Sequence, residues 1–253
     1  MPRLLAPALL ALAVLAAPVS ASAQGFTDAQ RGDIEAIIKS YLVAHPEVLE
    51  EAMNELQKRQ TAAETAKHEA GIAQNAEAIF DSPRGVTLGN KDGDVTFVEF
   101  FDYNCGYCKR AMGDMLDLMK NDPKLKVVLK EFPVLSEGSV EAAKVAVAVR
   151  MQDPTGKKYL DFHQKLLGGR GVADKARAMA AAKDAGLDVA RIEKDLASPE
   201  VKATLAENMK LADDMGLNGT PSYVIGKQIV VGAVGLEGLK EKISTARCGK
   251  TSC

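Results

Sequence analysis

The chain of 253 residues carries 32 Lys and Arg against 34 Asp and Glu, a formal charge of −2. That near-balance excludes the basic footprint of a nucleic-acid-binding domain, so no nucleic-acid partner is expected. The length suits one large domain or a domain with an extension, and after the first residues no stretch is apolar enough for long enough to span a bilayer.

Residues 1–23 have the pattern of a secretory leader: Arg3, an apolar run over 4–17, then Ala21-Ser22-Ala23 as a cleavage site. The run is too short for a spanning helix. The mature chain is therefore expected to begin at Gln24 and to be exported, where disulfides persist. Thr27-Asp28-Ala29-Gln30 reads as a capping box. Behind it Ile34, Ile37, Ile38, Tyr41 and Leu42 recur at helical spacing. His45-Pro46 breaks this helix and starts a second, whose stripe is Leu49, Met53, Leu56, Gln60 and Ala63. The Ala-, Glu- and Lys-rich sequence beyond, with Gly71 its only glycine, predicts a helix continuing to about Phe80. Such stripes need cover. They fold back on the following domain or pack on other copies, and the heptad-like spacing favours other copies. Residues 24–80 are thus expected to form an oligomerisation stalk.

The turn-rich segment 81–85 opens a second domain, 81–253. A short strand is expected at 86–88 and a strand buried on both faces at 95–101, apolar but for Glu99. That strand feeds Cys105-Gly106-Tyr107-Cys108, after which Met112, Met115, Leu116 and Met119 continue a helix. A further strand follows at 127–132, and the pattern is then wholly helical over 139–216. Strands at 221–225 and 228–231 pair around Gly226-Lys227, and a closing helix spans 236–243.

A strand running into Cys-x-x-Cys at a helix start is a redox arrangement. The unpaired N–H groups and positive dipole end favour a thiolate at Cys105, the expected nucleophile. Cys108, one turn further in, would resolve the mixed disulfide that Cys105 forms. A carboxylate inside an apolar strand must be protonated, paired or hydrated, and Glu99 is placed to shuttle the proton of Cys108. The competing readings are a structural disulfide or half a zinc site, which would need further ligands. Only Cys248 and Cys253 remain as thiols. These most simply bond to each other, with free thiols or pairing between chains as alternatives. Met112, Met115 and Met119 suit core packing better than soft-metal ligation. His45, His68 and His163 show no ligand spacing and read as surface or boundary residues. Lys130-Glu131 reads either as a pair tuning the buried acid or as a solvated pair.

Strand, Cys-x-x-Cys helix and a distant Thr220-Pro221 entering a strand together resemble the thioredoxin fold in its DsbA-like branch. The segment Tyr41-Leu42 with residues 46–56 resembles the N-terminal part of the suppressor-of-copper-sensitivity protein C (ScsC) family. The resemblance implies an α/β thioredoxin fold with a DsbA-like helical insertion at about 139–216, preceded by the helical stalk. It implies a cis Pro221 beside the two cysteines, and substrate contacts at Gly106, Tyr107, Thr220 and Pro221. The Gly-Tyr dipeptide and Thr220 look more like the isomerases than the oxidase DsbA. The implied activity is a periplasmic protein disulfide isomerase or reductase acting on misfolded exported proteins; a DsbA-like oxidase and a copper-sequestering protein are the rivals. The implied partners are a membrane-embedded thiol reductase of the ScsB/DsbD kind and further copies of the chain, a trimer before a dimer. No cofactor is required, while Cu(I) is an implied ligand of the Cys105 and Cys108 thiolates.

Overall fold

The computed structural model describes residues 25–253; the expected leader lies outside the described residues. The chain divides into two compact units, one ending at Lys58 and the other running from Arg59 to Cys253. In the first unit, helix α1 (Asp28–Ala44) opens on the expected capping box, Thr27 and Gln30 each satisfying the other's backbone N–H. It stops where the His45 N–H bonds to the Tyr41 carbonyl at 2.8 Å. Helix α2 (Glu47–Gln74) follows, and the division between the units falls within it. No residue of α1 is buried.

The second unit takes in more than the segment after residue 80 that the sequence suggests. Helix α2 ends at Gln74, and Asn75 separates it from a short helix, α3 (Ala76–Phe80), where one continuous helix was expected. The Asn75 amide bonds to the Gly71 carbonyl at 2.9 Å, closing the end of α2. Ile72 and Ile79 are buried with Val98, Phe100, Val128 and Val224 of the sheet. Gly71 permits the approach of α2 to the end of a later helix: a Cβ there would lie 3.0 Å from the Asp214 carbonyl oxygen.

The sheet comprises β1 (Val86–Gly89), β2 (Val95–Phe101), β3 (Leu125–Glu131), β4 (Ser222–Ile225) and β5 (Gln228–Val231), in the order β1-β3-β2-β4-β5. Only β2 and β3 are parallel, joined through α4 (Gly106–Asn121). Being central, β2 is covered on both faces, which is why its sequence is a nearly unbroken apolar run rather than an alternation. One face carries Phe97, Phe101 and Leu129 into the larger core, and the other carries Val98 and Phe100 into the smaller one. Between β3 and β4 come five helices, α5 (Glu137–Gln152), α6 (Lys157–Gly168), α7 (Lys175–Asp184), α8 (Val189–Asp195) and α9 (Pro199–Asp214). Most open on a side-chain cap, including Ser136, Asp174, Asp188 and Ser198. The closing helix α10 (Gly235–Cys248) runs one turn beyond the apolar pattern, to the left-handed Gly249.

Candidate active site

Where β2 ends, the chain must turn over the top of the sheet with its polar backbone satisfied. Asp102, buried to 1 % exposure, does this. Its carboxylate accepts from the N–H groups of Asn104, Val134 and Leu135 at 2.8, 2.9 and 3.0 Å, joining the loop after β2 to the loop after β3. Asn104 makes the next link. Its amide donates to the Ala173 carbonyl at 2.9 Å and to Ser139 Oγ at 3.0 Å, and its carbonyl accepts from Ala173 N at 2.7 Å. The segment before the cysteines is thus held by the sheet on one side and the helical insertion on the other. Sequence reasoning passed over both residues. An Asp-x-x pair closing a strand signals a turn, but the partners lie some 30 to 70 positions away and leave no local trace.

Cys105 is the N-cap of α4, and its Sγ accepts the Cys108 N–H at 3.3 Å. Its thiol donates to the Thr220 carbonyl at 3.2 Å, and the Thr220-Pro221 peptide is cis, as the resemblance implied. Both cysteines are free thiols. Cys105 keeps 6 % exposure and Cys108 none. Burial pushes the Cys108 thiol well above the usual cysteine range, and the charge of Glu99 adds to the effect. Gly106 and Tyr107 stand outward, Tyr107 60 % exposed with the Arg110 guanidinium 4.3 Å from its ring centre. A groove of about 320 Å³ opens at Cys105, bounded by Asn104, Lys109 and the 166–171 segment. Lys109 Nζ donates to the Gly169 carbonyl across it at 2.6 Å.

Glu99 is 3 % exposed. Its neighbours in the sheet are Leu129 on β3 and Tyr223 on β4, neither a cation. Burial first, and the charge of Asp114 second, raise the carboxyl to about 8. It is therefore largely protonated at neutral pH yet able to ionise.

Two readings are corrected here. Lys130 and Glu131 are neither solvated nor set against Glu99. Both are buried in β3; Lys130 reaches towards Glu207 on α9, 3.8 Å away, and Glu131 accepts the Tyr159 hydroxyl at 2.5 Å. His163 is not a boundary residue. It is 2 % exposed, its Nδ1 lies 3.3 Å from the Tyr103 hydroxyl, and burial lowers it to about 3, so it stays neutral. The three methionines and the two tail cysteines fall as the first of their readings had them. Met115 is buried, with Met112 and Met119 packed on the same core. Cys248 and Cys253 form a disulfide. Among the described residues no group of three or more His, Cys, Asp and Glu is placed to hold a metal ion.

A thioredoxin sheet, a surface-reaching thiol at a helix start, a buried partner thiol and a cis proline beside them define a thiol–disulfide oxidoreductase of the DsbA/ScsC type. The comparisons agree. The DSBA-like thioredoxin domain matches residues 96–244, and the copper resistance protein ScsC N-terminal domain matches residues 30–63. The chain belongs to the DSBA-like thioredoxin domain family.

Among solved structures it is similar to a thioredoxin-like oxidoreductase from Silicibacter pomeroyi, 42 % identical, covering 68 % of this chain and 96 % of that one with a TM-score of 0.64. Proteus mirabilis ScsC in a transitional conformation is 29 % identical over 88 % of this chain and 98 % of its own, with a TM-score of 0.65. A periplasmic thioredoxin-like protein from Salmonella enterica serovar Typhimurium is 28 % identical over 68 % of this chain and 95 % of its own, with a TM-score of 0.60. Among curated proteins, the Na(+)/H(+) antiporter NhaA 1 of Salinispora arenicola is 25 % identical over 169 residues, which are 67 % of this chain and 26 % of that protein. The chain spans about a quarter of the length of the curated relatives it matches.

Proposed function

We propose that this protein is an exported disulfide isomerase and reductase, with Cys105 as nucleophile, Cys108 as resolving thiol and Glu99 as proton acceptor. The observation that carries the reading is the asymmetry of the two thiols. Cys105 reaches the groove and receives an N–H bond from the start of α4, whereas Cys108 is fully buried with its thiol form favoured. In the reaction the Cys105 thiolate attacks a substrate disulfide; one substrate sulfur joins Cys105 and the other leaves as a thiolate. A substrate thiolate attacking that mixed disulfide completes isomerisation. Alternatively Cys108 passes its proton to Glu99 and attacks Cys105, which oxidises the pair and releases the substrate reduced. The Thr220 carbonyl, already bonded to Cys105, lies where the backbone of an extended substrate would run beside the nucleophile.

Isomerisation requires Cys105 to be reduced, and each reduction of a substrate leaves the Cys105–Cys108 pair oxidised, so a membrane-embedded thiol reductase is the partner proposed. The exposed stripe of α1 and α2 supports assembly into a trimer, which would set several Cys105 sites before one substrate. The periplasm is the compartment proposed, on the leader-like sequence of residues 1–23 and the relatives' company. The test is reactivation of a scrambled disulfide protein by the full-length chain, reduced and catalytic in amount. Reactivation lost in Cys105→Ser supports the reading. Oxidation of reduced substrate without any reactivation of scrambled substrate would establish the oxidase instead.

A further inference from the structure

Tyr223 is 1 % exposed, and its hydroxyl has no hydrogen-bond partner among the described residues. A buried tyrosine hydroxyl normally finds one, and a buried polar atom left alone costs about 1–3 kcal/mol. Its place in the sheet suggests why it is tolerated. Tyr223 on β4 stands directly across from Glu99 on β2 in antiparallel register, the arrangement that brings facing side chains closest. Its ring packs on Phe97, 5.1 Å between centres, one position along the same face. Burial first, and then four nearby groups, Glu99, Cys108, Asp114 and Cys105, hold its hydroxyl well above the usual tyrosine range. Every one is an anion when charged.

Among the described residues no cation shares this space. Leu129 flanks Glu99 on β3, α4 brings Cys108 and the part-buried Asp114, and α10 presents Leu239 and Ile243. The charged residues of α10 are exposed, apart from Arg247, which pairs with Asp94 and Asp122. Resolution of the mixed disulfide nonetheless needs a negative charge here, on the Glu99 carboxylate before it takes the Cys108 proton and on the Cys108 sulfur afterwards.

We propose that Tyr223 is a positioning residue whose hydroxyl donates a hydrogen bond to the anion formed in the Glu99–Cys108 pair, holding the carboxylate ready to take the Cys108 proton. The inference rests on the reading of Glu99 as proton acceptor. In the step, the Cys108 S–H proton passes to the Glu99 carboxylate and the Cys108–Cys105 bond forms. The Cys105–substrate bond breaks, and the substrate leaves as a thiolate. Tyr223 keeps its proton throughout.

The experiment follows decay of a preformed mixed disulfide between Cys105 and a small thiol peptide, across pH, in wild type, Tyr223→Phe, Glu99→Gln and the double variant. A hydrogen bond to a charged group is worth about 1.5–3 kcal/mol, so Tyr223→Phe should slow the resolving step by about tenfold or more. Its pH midpoint should move upward, and thermal stability should hold or rise, since an unpartnered hydroxyl is removed. In the Glu99→Gln background the same change should have little further effect. An unchanged rate and midpoint in Tyr223→Phe, beside a slowed Glu99→Gln, would overturn this inference alone. An unchanged rate in Glu99→Gln would overturn the proton-acceptor reading with it. Should Tyr223→Phe not fold, 3-fluorotyrosine incorporation supplies the second measurement: a more acidic phenol at position 223 should speed resolution, and no change in rate counts against the proposal.

Discussion

The helices before Lys58 and the centre of the sheet break opposite rules. In the first, large apolar side chains stand in water: Ile37 is 65 % and Met53 70 % exposed. In the second, groups that prefer water are buried: Glu99, Asp102, Lys130 and Glu131 all lie at 3 % exposure or less. A globular chain avoids both conditions unless something offsets them. The exposed stripe fits the proposed assembly, in which another copy of the chain would cover it. Within the unit Asp102 is met by three N–H donors, Glu131 by Tyr159 and Lys130 by the charge of Glu207, whereas Glu99 has no cation beside it in the sheet. In the function proposed, the exposed apolar face points outward to a partner, and the buried acid without a cation points inward to a reaction.

The strongest test of the inward half is removal of the thiols. Cys105→Ser should abolish catalysed exchange. Cys108→Ser should instead accumulate mixed disulfides on Cys105, visible by mass spectrometry of acid-quenched samples. Trapping through the Cys108 position would reverse the assignment. The outward half is tested by Ile37→Asp, paired with Met53→Asp. Light scattering should show the assembly falling to single chains. Reduction of a simple disulfide peptide should persist, while reactivation of scrambled protein falls severalfold, since effective concentration is lost and no catalytic group is touched.

A smaller effect sharpens the comparison through pH. Below about 4.5 the Glu99 carboxyl is protonated whether the chain is folded or not, and above that value the unfolded chain ionises first. Because the folded value is raised to about 8, stability is lost as pH climbs between the two. Glu99→Gln should remove up to about 1.4 kcal/mol per pH unit of that slope, so the variant gains stability over wild type as pH rises towards 8 in denaturant titrations. The smallest effect belongs to the tail. Cys248→Ser with Cys253→Ser should leave exchange unchanged and lower the thermal midpoint only slightly, because the closed loop is short and its residues are exposed.

What was legible in the sequence divides along the same line. Period and punctuation located the elements, because the apolar run of β2, the capping box at Thr27 and Gly226 act within a few residues of themselves. The cysteines, Glu99 and Thr220-Pro221 were readable because each is an anomaly where it stands: a polar group in a strand, or a proline opening one. The break at Asn75 was not, since one asparagine in a helix-forming run signals nothing until Ile72 and Ile79 must turn towards the sheet. Lys130 and His163 were misjudged for the same reason. Their burial depends on α9 and on the aromatic cluster around Tyr103, both distant in sequence. Tyr223 carries no signal of its own in the sequence, and its place opposite Glu99 emerges only from the register of β2 and β4.

The clasp between Asn104 and residue 173 has a consequence for variation. Asn104 reads only the main-chain N–H and carbonyl of Ala173, and every amino acid except proline presents both. Next to it, Val172 is 64 % exposed at the rim of the site. The loop can therefore exchange its outward side chains from one descendant to another while the segment leading into Cys105 stays moored by bonds that do not depend on those side chains.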